Sequence, residues 1–429
     1  MGFTKAFSRL SAKVNSAYSG WWVVAGAASL AIVSGGILNH GAAVFFNPIK
    51  RDLSLSSANT SLIFTLSRAQ ASLGAILYGW MVDRLGAKPL IVVSSIVAGG
   101  GLIIVSKIGN FGPFLLTYVV LIAIPANLGF GQTLITATNG WFVRRKATAL
   151  AIVVTGFAAG GAIFVYPLGV GVNNIGWRPT MFYSGVFVCV VGLILSTLVR
   201  NSPSEIPDVE RMAVDKNHIV DVGNEDNESR DFIIDFSLTQ AFKTKVFWII
   251  LVASTLRISA ESGINIHIIP IMVWQGAEEF FAAGLVSLFY IFAIPYRLGL
   301  GIAGQRLQFQ PLIITGLICA SIGFVLLVVT DSVTTLYPFI ILFAIYEGSV
   351  VLQWVAIGNY FGRSSYGSIT GFMRFSDTLG TFLAPWFAGW IYDQTGSYSI
   401  SLVTFAGAML LSACLFAICR KPLVRESNE

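Results

Sequence analysis

The sequence predicts an all-α membrane protein, twelve transmembrane helices in two six-helix, pseudo-symmetric halves. Three observations lead there. First, the 429 residues are 55% hydrophobic and only 11% charged, with a mean hydropathy of +0.76. A soluble chain of this length has a large water-facing shell and could not hide so much apolar surface. Second, apolar runs recur from end to end, each long enough to cross a hydrocarbon core of roughly 30 Å as a helix. They are continuously apolar, where the strands of a membrane barrel would alternate. Third, the second half of the chain repeats the first.

The spans are expected at about 20–46, 58–82, 89–108, 113–139, 147–172, 177–199, 246–273, 280–303, 310–330, 334–358, 366–391 and 398–419. The chain then divides into an N-terminal segment (1–19), a six-helix bundle (20–199), a polar linker (200–245), a second six-helix bundle (246–419) and a C-terminal segment (420–429). Residues 201–235 hold ten acids and three bases, with Pro203 and Pro207, the composition of a solvated linker. After it, "FSLTQAFKTK" reads as a short amphipathic helix with Ser237 as its N-cap.

Charge placement sets the orientation. Nineteen of the 27 Lys and Arg lie on the side that carries both termini and the linker, while the opposite loops hold only Lys50, Arg51, Lys107 and Arg178. The basic side is expected to be cytoplasmic, so both ends are inside. The first apolar run is too long for a signal peptide core, so no cleavable signal is expected.

The halves align at two nearby offsets. Shifting by 222 residues lays Gly79–Leu90, "GWMVDRLGAKPL", on Gly301–Leu312, "GIAGQRLQFQPL". Shifting by 218–220 lays Trp141–Arg144 on Tyr360–Arg363, Pro167 on Pro385 and Gly176 on Gly396. A parallel repeat of six spans puts a pseudo-two-fold axis along the membrane normal, with a binding cavity between the halves that each face reaches in turn.

Several classes are disfavoured. The four cysteines lie inside apolar runs without zinc spacing or a disulfide framework. No metal-ligand cluster, nucleophile–base pair or phosphate loop is present, so no enzyme, metal or cofactor is expected. The net charge of +6 belongs to the basic loops and does not imply nucleic acid. The expected partners are the bilayer and a small solute, with the monomer as the working unit.

Ionisable residues within the spans are the candidate site. A charge at the bilayer centre costs about 2.5–3.5 kcal/mol on insertion scales, so such residues are retained for a reason. They are His40 beside Asn39 in span 1, Arg68 in span 2, Arg257, Glu261 and His267 in span 7, Arg297 in span 8, Glu347 in span 10, and Arg374 with Asp377 in span 11. Four arginines against three acids leave the interior basic, which suits an anion. Arg257 and Glu261 (i, i+4) and Arg374 and Asp377 (i, i+3) each share a helix face and can pair. His267 precedes Pro270, where the helix is expected to loosen and free carbonyls. The glycines of "TGFAAGGAIFVYP" in span 5 permit close helix packing.

"GWMVDRLGAK", with Gly79, Asp83, Arg84, Gly86 and Lys88, resembles the loop 2–3 gating signature of the major facilitator superfamily. In that signature the charges lock one conformation, and Gly79 allows close helix contact. In the second half Gln305 and Gln308 replace the acid and the second glycine. A narrower resemblance rests on "SGWWVVAGA", "VFFNPIKRDLSLS", "NGWFVRRKATALAI", "IGWRPTMF", "FSLTQAFKTKVFWII" and "GTFLAPWFAGWIYDQTGSY". These are similar to the monocarboxylate transporter family, in its bacterial branch near the oxalate/formate antiporters.

That resemblance implies a carrier of small organic carboxylates in a bacterial inner membrane. The expected activity is proton-coupled symport of a lactate- or pyruvate-like acid; an oxalate/formate-type exchanger is the alternative. It implies that Arg297, helped by Arg374, grips the carboxylate, with His40 and His267 as further substrate contacts; Asn39 and Arg68 join them as candidates by their place within the spans. Asp377, Glu261, His40, His267 and Glu347 are the proton candidates. His40 stands where animal members carry a lysine, and Ala293 stands where they carry an aspartate four residues before the span 8 arginine.

Overall fold

The computed structural model describes residues 20–141, 146–199, 236–306, 308–330, 332–361 and 366–419. Long helices dominate them: α1 (Gly20–Asp52), α2 (Ser57–Leu85), α3 (Ala87–Val105), α4 (Phe111–Asn139), α5 (Lys146–Ile175), α6 (Trp177–Ser196), α7 (Lys245–Trp274), α8 (Glu279–Arg306), α9 (Phe309–Val329), α10 (Leu336–Phe361), α11 (Tyr366–Thr395) and α12 (Ser399–Ile418). The terminal segments, most of the expected linker, and Arg144, Arg145 and Arg363 lie outside the described residues.

Ten of these helices are long and apolar enough to cross a membrane. The two that fall short are α2 and α11, which pack against one another. Their polar residues are spent on the protein interior: Thr60, Ser61, Thr65, Thr370, Asp377 and Thr378 are all buried. A hydropathy scan therefore understates the helices at the centre of the bundle.

The repeat is visible in the packing. α1 packs on α7 across the halves, α2 on α11, and α5 on α8. An offset of six helices exchanges the last two interfaces, as a pseudo-two-fold axis requires. Backbone conformation repeats as well. Gly176 before α6 and Gly396 before α12 have φ of 86° and 67°, a region that L side chains rarely adopt. The loop 2–3 turn does not repeat: Gly86 has φ 79°, whereas Gln308, its counterpart, has φ −62° and opens α9 from an extended conformation.

Helix starts follow local chemistry. Ser56 accepts from Asn59 N at 3.1 Å, and Thr244 accepts from Phe247 N at 3.3 Å. Ser237 forms a full capping box with Gln240 and starts a short helix, Leu238–Phe242, as its sequence predicts. One expectation fails. α7 runs unbroken through Pro270 to Trp274, so Pro270 does not open the helix. Unwinding occurs elsewhere: α1 is π-helical over Ser34–His40, and α4 over Tyr118–Ala123 and Ala126–Gln132. Such widened turns are frequent at functional sites.

The two ends of the bundle differ. On the face away from the termini the halves are pinned together. Asp393 at the end of α11 accepts from Ser57 N at 2.7 Å and Ala58 N at 2.8 Å, which caps α2 from the other half. Arg51 pairs with Glu279 at 2.7 Å, and Lys50 lies over the Tyr392 ring at 4.8 Å. A Cβ on Gly389 would meet Ser57 C at 2.7 Å. On the terminal face, a Cβ on Gly79 of α2 or Gly371 of α11 would meet none of the described residues within 4 Å. The expected close contact at Gly79 is thus absent among the described residues. Asp83 is exposed, and Arg84 lies over the Trp80 ring at 4.8 Å.

Candidate functional site

A cavity of about 130 Å³ lies between α1, α2 and α4 of the first half and α7 of the second. Its polar lining is Asn39, Ser67, Arg68, Tyr118, Asn127 and Asn265; Phe64, Ile122 and Ile266 close it with apolar surface. The π-helical stretches of α1 and α4 deliver Asn39 and Asn127 to it. Arg68 is the one charged residue in this wall. Among the described residues it makes no salt bridge within 4.0 Å.

The second half treats its cations differently. Arg257 donates from Nη1 to Glu261 Oε2 at 2.6 Å and to Tyr346 OH at 2.9 Å, and from Nε to Gln353 Oε1 at 2.7 Å. Tyr346 OH donates to the same Glu261 oxygen at 2.6 Å. Gln353 donates to Ser254 Oγ at 2.6 Å, and Ser254 donates in turn to Asp377 Oδ1 at 3.1 Å. This buried network ties α7, α10 and α11 together.

Arg297 of α8 donates from Nη2 to Glu347 Oε1 of α10 at 2.7 Å. Gly348 permits the approach, since a Cβ there would lie 2.8 Å from Tyr296 C. Arg297 Nε and Glu347 Oε2 are buried and have no hydrogen-bond partner among the described residues, so this pair is only half satisfied. Ala293, the position without the family's aspartate, is buried on the same helix. The acid that meets the span 8 arginine comes instead from span 10.

His40 bridges the halves. Its Nδ1 and the Tyr290 hydroxyl of α8 are 2.5 Å apart, and the ring centroids are separated by 4.2 Å. The fields of both Arg68 and Arg297 reach it. Gly161 of α5 makes room for Tyr290, because a Cβ there would sit 2.4 Å from the ring. The glycines of α5 thus serve packing, as expected, and one of them also positions a cross-half hydrogen bond.

Several sequence candidates lie away from the cavity. His267 is fully buried, with Nε2 at 2.8 Å from Ser61 Oγ and 2.9 Å from Pro385 O, and Nδ1 at 3.0 Å from Tyr398 OH. Both ring nitrogens are occupied, and the ring fastens α7 to α2, α11 and α12. Asp377 is buried and accepts from Ser254 and Thr255, whereas Arg374, three residues before it, is exposed. The buried and part-buried set is Arg68, Arg257 and Arg297 against Glu261, Glu347 and Asp377. Sequence reasoning missed Tyr290, Asn127 and Asn265. Amides in otherwise apolar helices were the available signal for the last two.

Comparison with known proteins agrees with this architecture. Residues 16–385 match the Major Facilitator Superfamily. The chain is 22% identical to monocarboxylate transporter 12 of Mus musculus over 426 residues, which covers 94% of this chain and 85% of that protein. It is 25% identical to the hexuronate transporter of Bacillus subtilis over 403 residues, covering 88% and 87%. Among solved structures, a bacterial homologue of the human lysosomal transporter Spinster superposes with a TM-score of 0.68 at 16% identity, covering 94% of this chain and 96% of that one. The chain belongs to the Major Facilitator Superfamily and is a multi-pass membrane carrier, not an enzyme.

Proposed function

We propose that the protein carries a small organic carboxylate together with a proton, by alternating access. The observation that carries this is Arg68, a cation in the cavity between the halves that no carboxylate of the described residues neutralises. An unpaired guanidinium in a low-dielectric interior is costly, and it can grip a carboxylate through a pair of parallel hydrogen bonds. The family membership and the monocarboxylate transporters among the relatives support the same substrate class.

The proton belongs on Glu347. Its Oε2 lacks a partner, and the fields of Glu261, Arg297, Arg257 and Arg68 all act on it. Protonation removes the charge that holds Arg297 and releases that guanidinium toward the cavity. Proton and anion together leave the net charge of the interior unchanged, whereas either alone shifts it by one, and the loaded carrier changes face. The terminal face is the cytoplasmic one by its basic residues, so the conformation described here is open to the cytoplasm, in a cell membrane with both termini inside. Exchange of a dianion such as oxalate is the weaker alternative: without the proton Arg297 stays paired with Glu347, which leaves Arg68 as the one unpaired cation of this wall for two carboxylates.

Uptake of lactate, pyruvate, formate and oxalate into proteoliposomes, with and without an imposed pH gradient, tests the proposal. A gradient-driven overshoot for a monocarboxylate is expected, and Glu347→Gln abolishes the overshoot while sparing exchange. Uptake that responds only to internal substrate removes symport, and absence of carboxylate transport removes the substrate class.

A further inference from the structure

Asp377 of α11 is a second unmatched charge of the interior. Its carboxylate is buried, and among the described residues no Lys, Arg or His nitrogen lies within 4.0 Å of it. Arg257 is close enough for its field to act there, but that guanidinium is spent on Glu261. Arg257, Glu261 and Asp377 therefore sum to one negative charge, and a buried charge without a counterion is costly.

The groups around this carboxylate are hydroxyls. Ser254 Oγ of α7 stands 3.1 and 3.3 Å from its two oxygens, and Thr255 Oγ1 stands 3.5 Å from Oδ1. Ser376 Oγ lies 3.1 Å from Thr255 Oγ1. A hydroxyl that donates firmly to a carboxylate closes to about 2.5–2.7 Å, and neither Ser254 nor Thr255 does so. Oxygens that share a small cation at about 2.4 Å, roughly at right angles, stand about 3.4 Å apart. The spacing is that of a coordination shell. A hydroxyl has two lone pairs; Ser254 spends one on Gln353 Nε2 and keeps one for an ion. Thr255 and Ser376 are only part-buried, so water can complete the shell. A Cβ on Gly380 would run into Ser259 Oγ, so glycine there lets α11 lie against α7 and keeps these oxygens together.

We infer that Asp377, Ser254, Thr255 and Ser376 bind a small monovalent cation, sodium. One excess negative charge calls for one positive charge, and a carboxylate with hydroxyls is a set of hard oxygen ligands. Each half then offers one unmatched charge, Arg68 to an anion and Asp377 to sodium. This site is independent of the carboxylate on Arg68 and of the proton on Glu347.

Thermal unfolding of the full chain in detergent, at mildly alkaline pH, tests the site with sodium chloride against equal potassium or choline chloride. Sodium is expected to raise the melting temperature saturably, and the other two salts are not. Asp377→Asn removes an unmatched buried charge and should fold, while raising the sodium needed for half the effect by about tenfold or more. Thr255→Val should shift it in the same direction by less. The wild-type salts decide the matter even if a variant does not fold. Equal effects of the three salts, or no effect of sodium because a proton balances Asp377, overturn the inference, as does a sodium effect undiminished in Asp377→Asn. Gradient-driven uptake of a monocarboxylate in sodium-free proteoliposomes reads the carboxylate proposal separately, so the two can fail apart.

Discussion

The two halves hold their interior arginines in opposite ways. In the second half, Arg257 and Arg297 each have a glutamate at 2.6 or 2.7 Å. In the first half, Arg68 faces a cavity and, among the described residues, has no carboxylate within 4.0 Å. Burying a charge without a counterion is expensive, and a paired buried charge becomes expensive only when one partner is removed. In the second half the Arg257–Glu261 pair is therefore stable as it stands, while the Arg297–Glu347 pair is only half satisfied. The first half carries an electrostatic cost that an anion can relieve, which is the basis of the proposed carboxylate binding.

The comparison can be broken at its strongest point. Arg257→Met strands Glu261, and it also takes a donor from Tyr346 and from Gln353. Loss of about 3–5 kcal/mol of stability is expected, read as a large drop in melting temperature in detergent. Adding Glu261→Gln should recover much of it. If the single variant melts like the wild type, the second half is not held by this network.

Gly161→Ala tests the join between the halves. The new Cβ falls 2.4 Å from the Tyr290 ring, which must move away from His40. Overpacking of this kind costs about 1–3 kcal/mol. Transport should slow with little change in substrate selectivity, and Tyr290→Phe should reproduce the slowing without the packing cost. Unchanged transport in both variants would make the His40–Tyr290 bond incidental.

The smallest effect is expected at the rim. Arg51 is 66% exposed, so its pair with Glu279 is worth about 0–1 kcal/mol after solvent screening. Arg51→Ala should raise the accessibility of a cysteine placed at Phe280 by only a few-fold, whereas Asp393→Asn, which weakens a charge-assisted cap on two backbone groups, should raise it more. The reverse order would place the main closure of this face on the exposed pair.

Much of the fold was legible because lipid imposes long apolar helices and the repeat reveals the axis. The least legible helices were α2 and α11, whose polar residues face protein and not lipid. Within the site, Arg257–Glu261 could be read directly, since i, i+4 fixes both on one face. Arg297–Glu347 could not, since the partners are 50 residues apart on different helices. His267 carried the same sequence signal as His40, and only packing separates a ring with three partners from one at the junction of the halves. Asn39 was noticed beside His40, but the direction of its amide depends on a π-helical turn that no periodicity reveals.

The central claim is that Arg68 is the substrate anchor. Its most direct test is uptake of a labelled monocarboxylate by Arg68→Gln and Arg68→Lys in proteoliposomes, alongside their melting temperatures. The account predicts that both variants fold, with Arg68→Gln at least as stable as the wild type because a buried charge has been removed, and that Arg68→Gln loses uptake by roughly a hundredfold, the loss of a bidentate charged contact. Uptake by Arg68→Gln within about threefold of the wild type, well inside the tenfold of a single hydrogen bond, would contradict it.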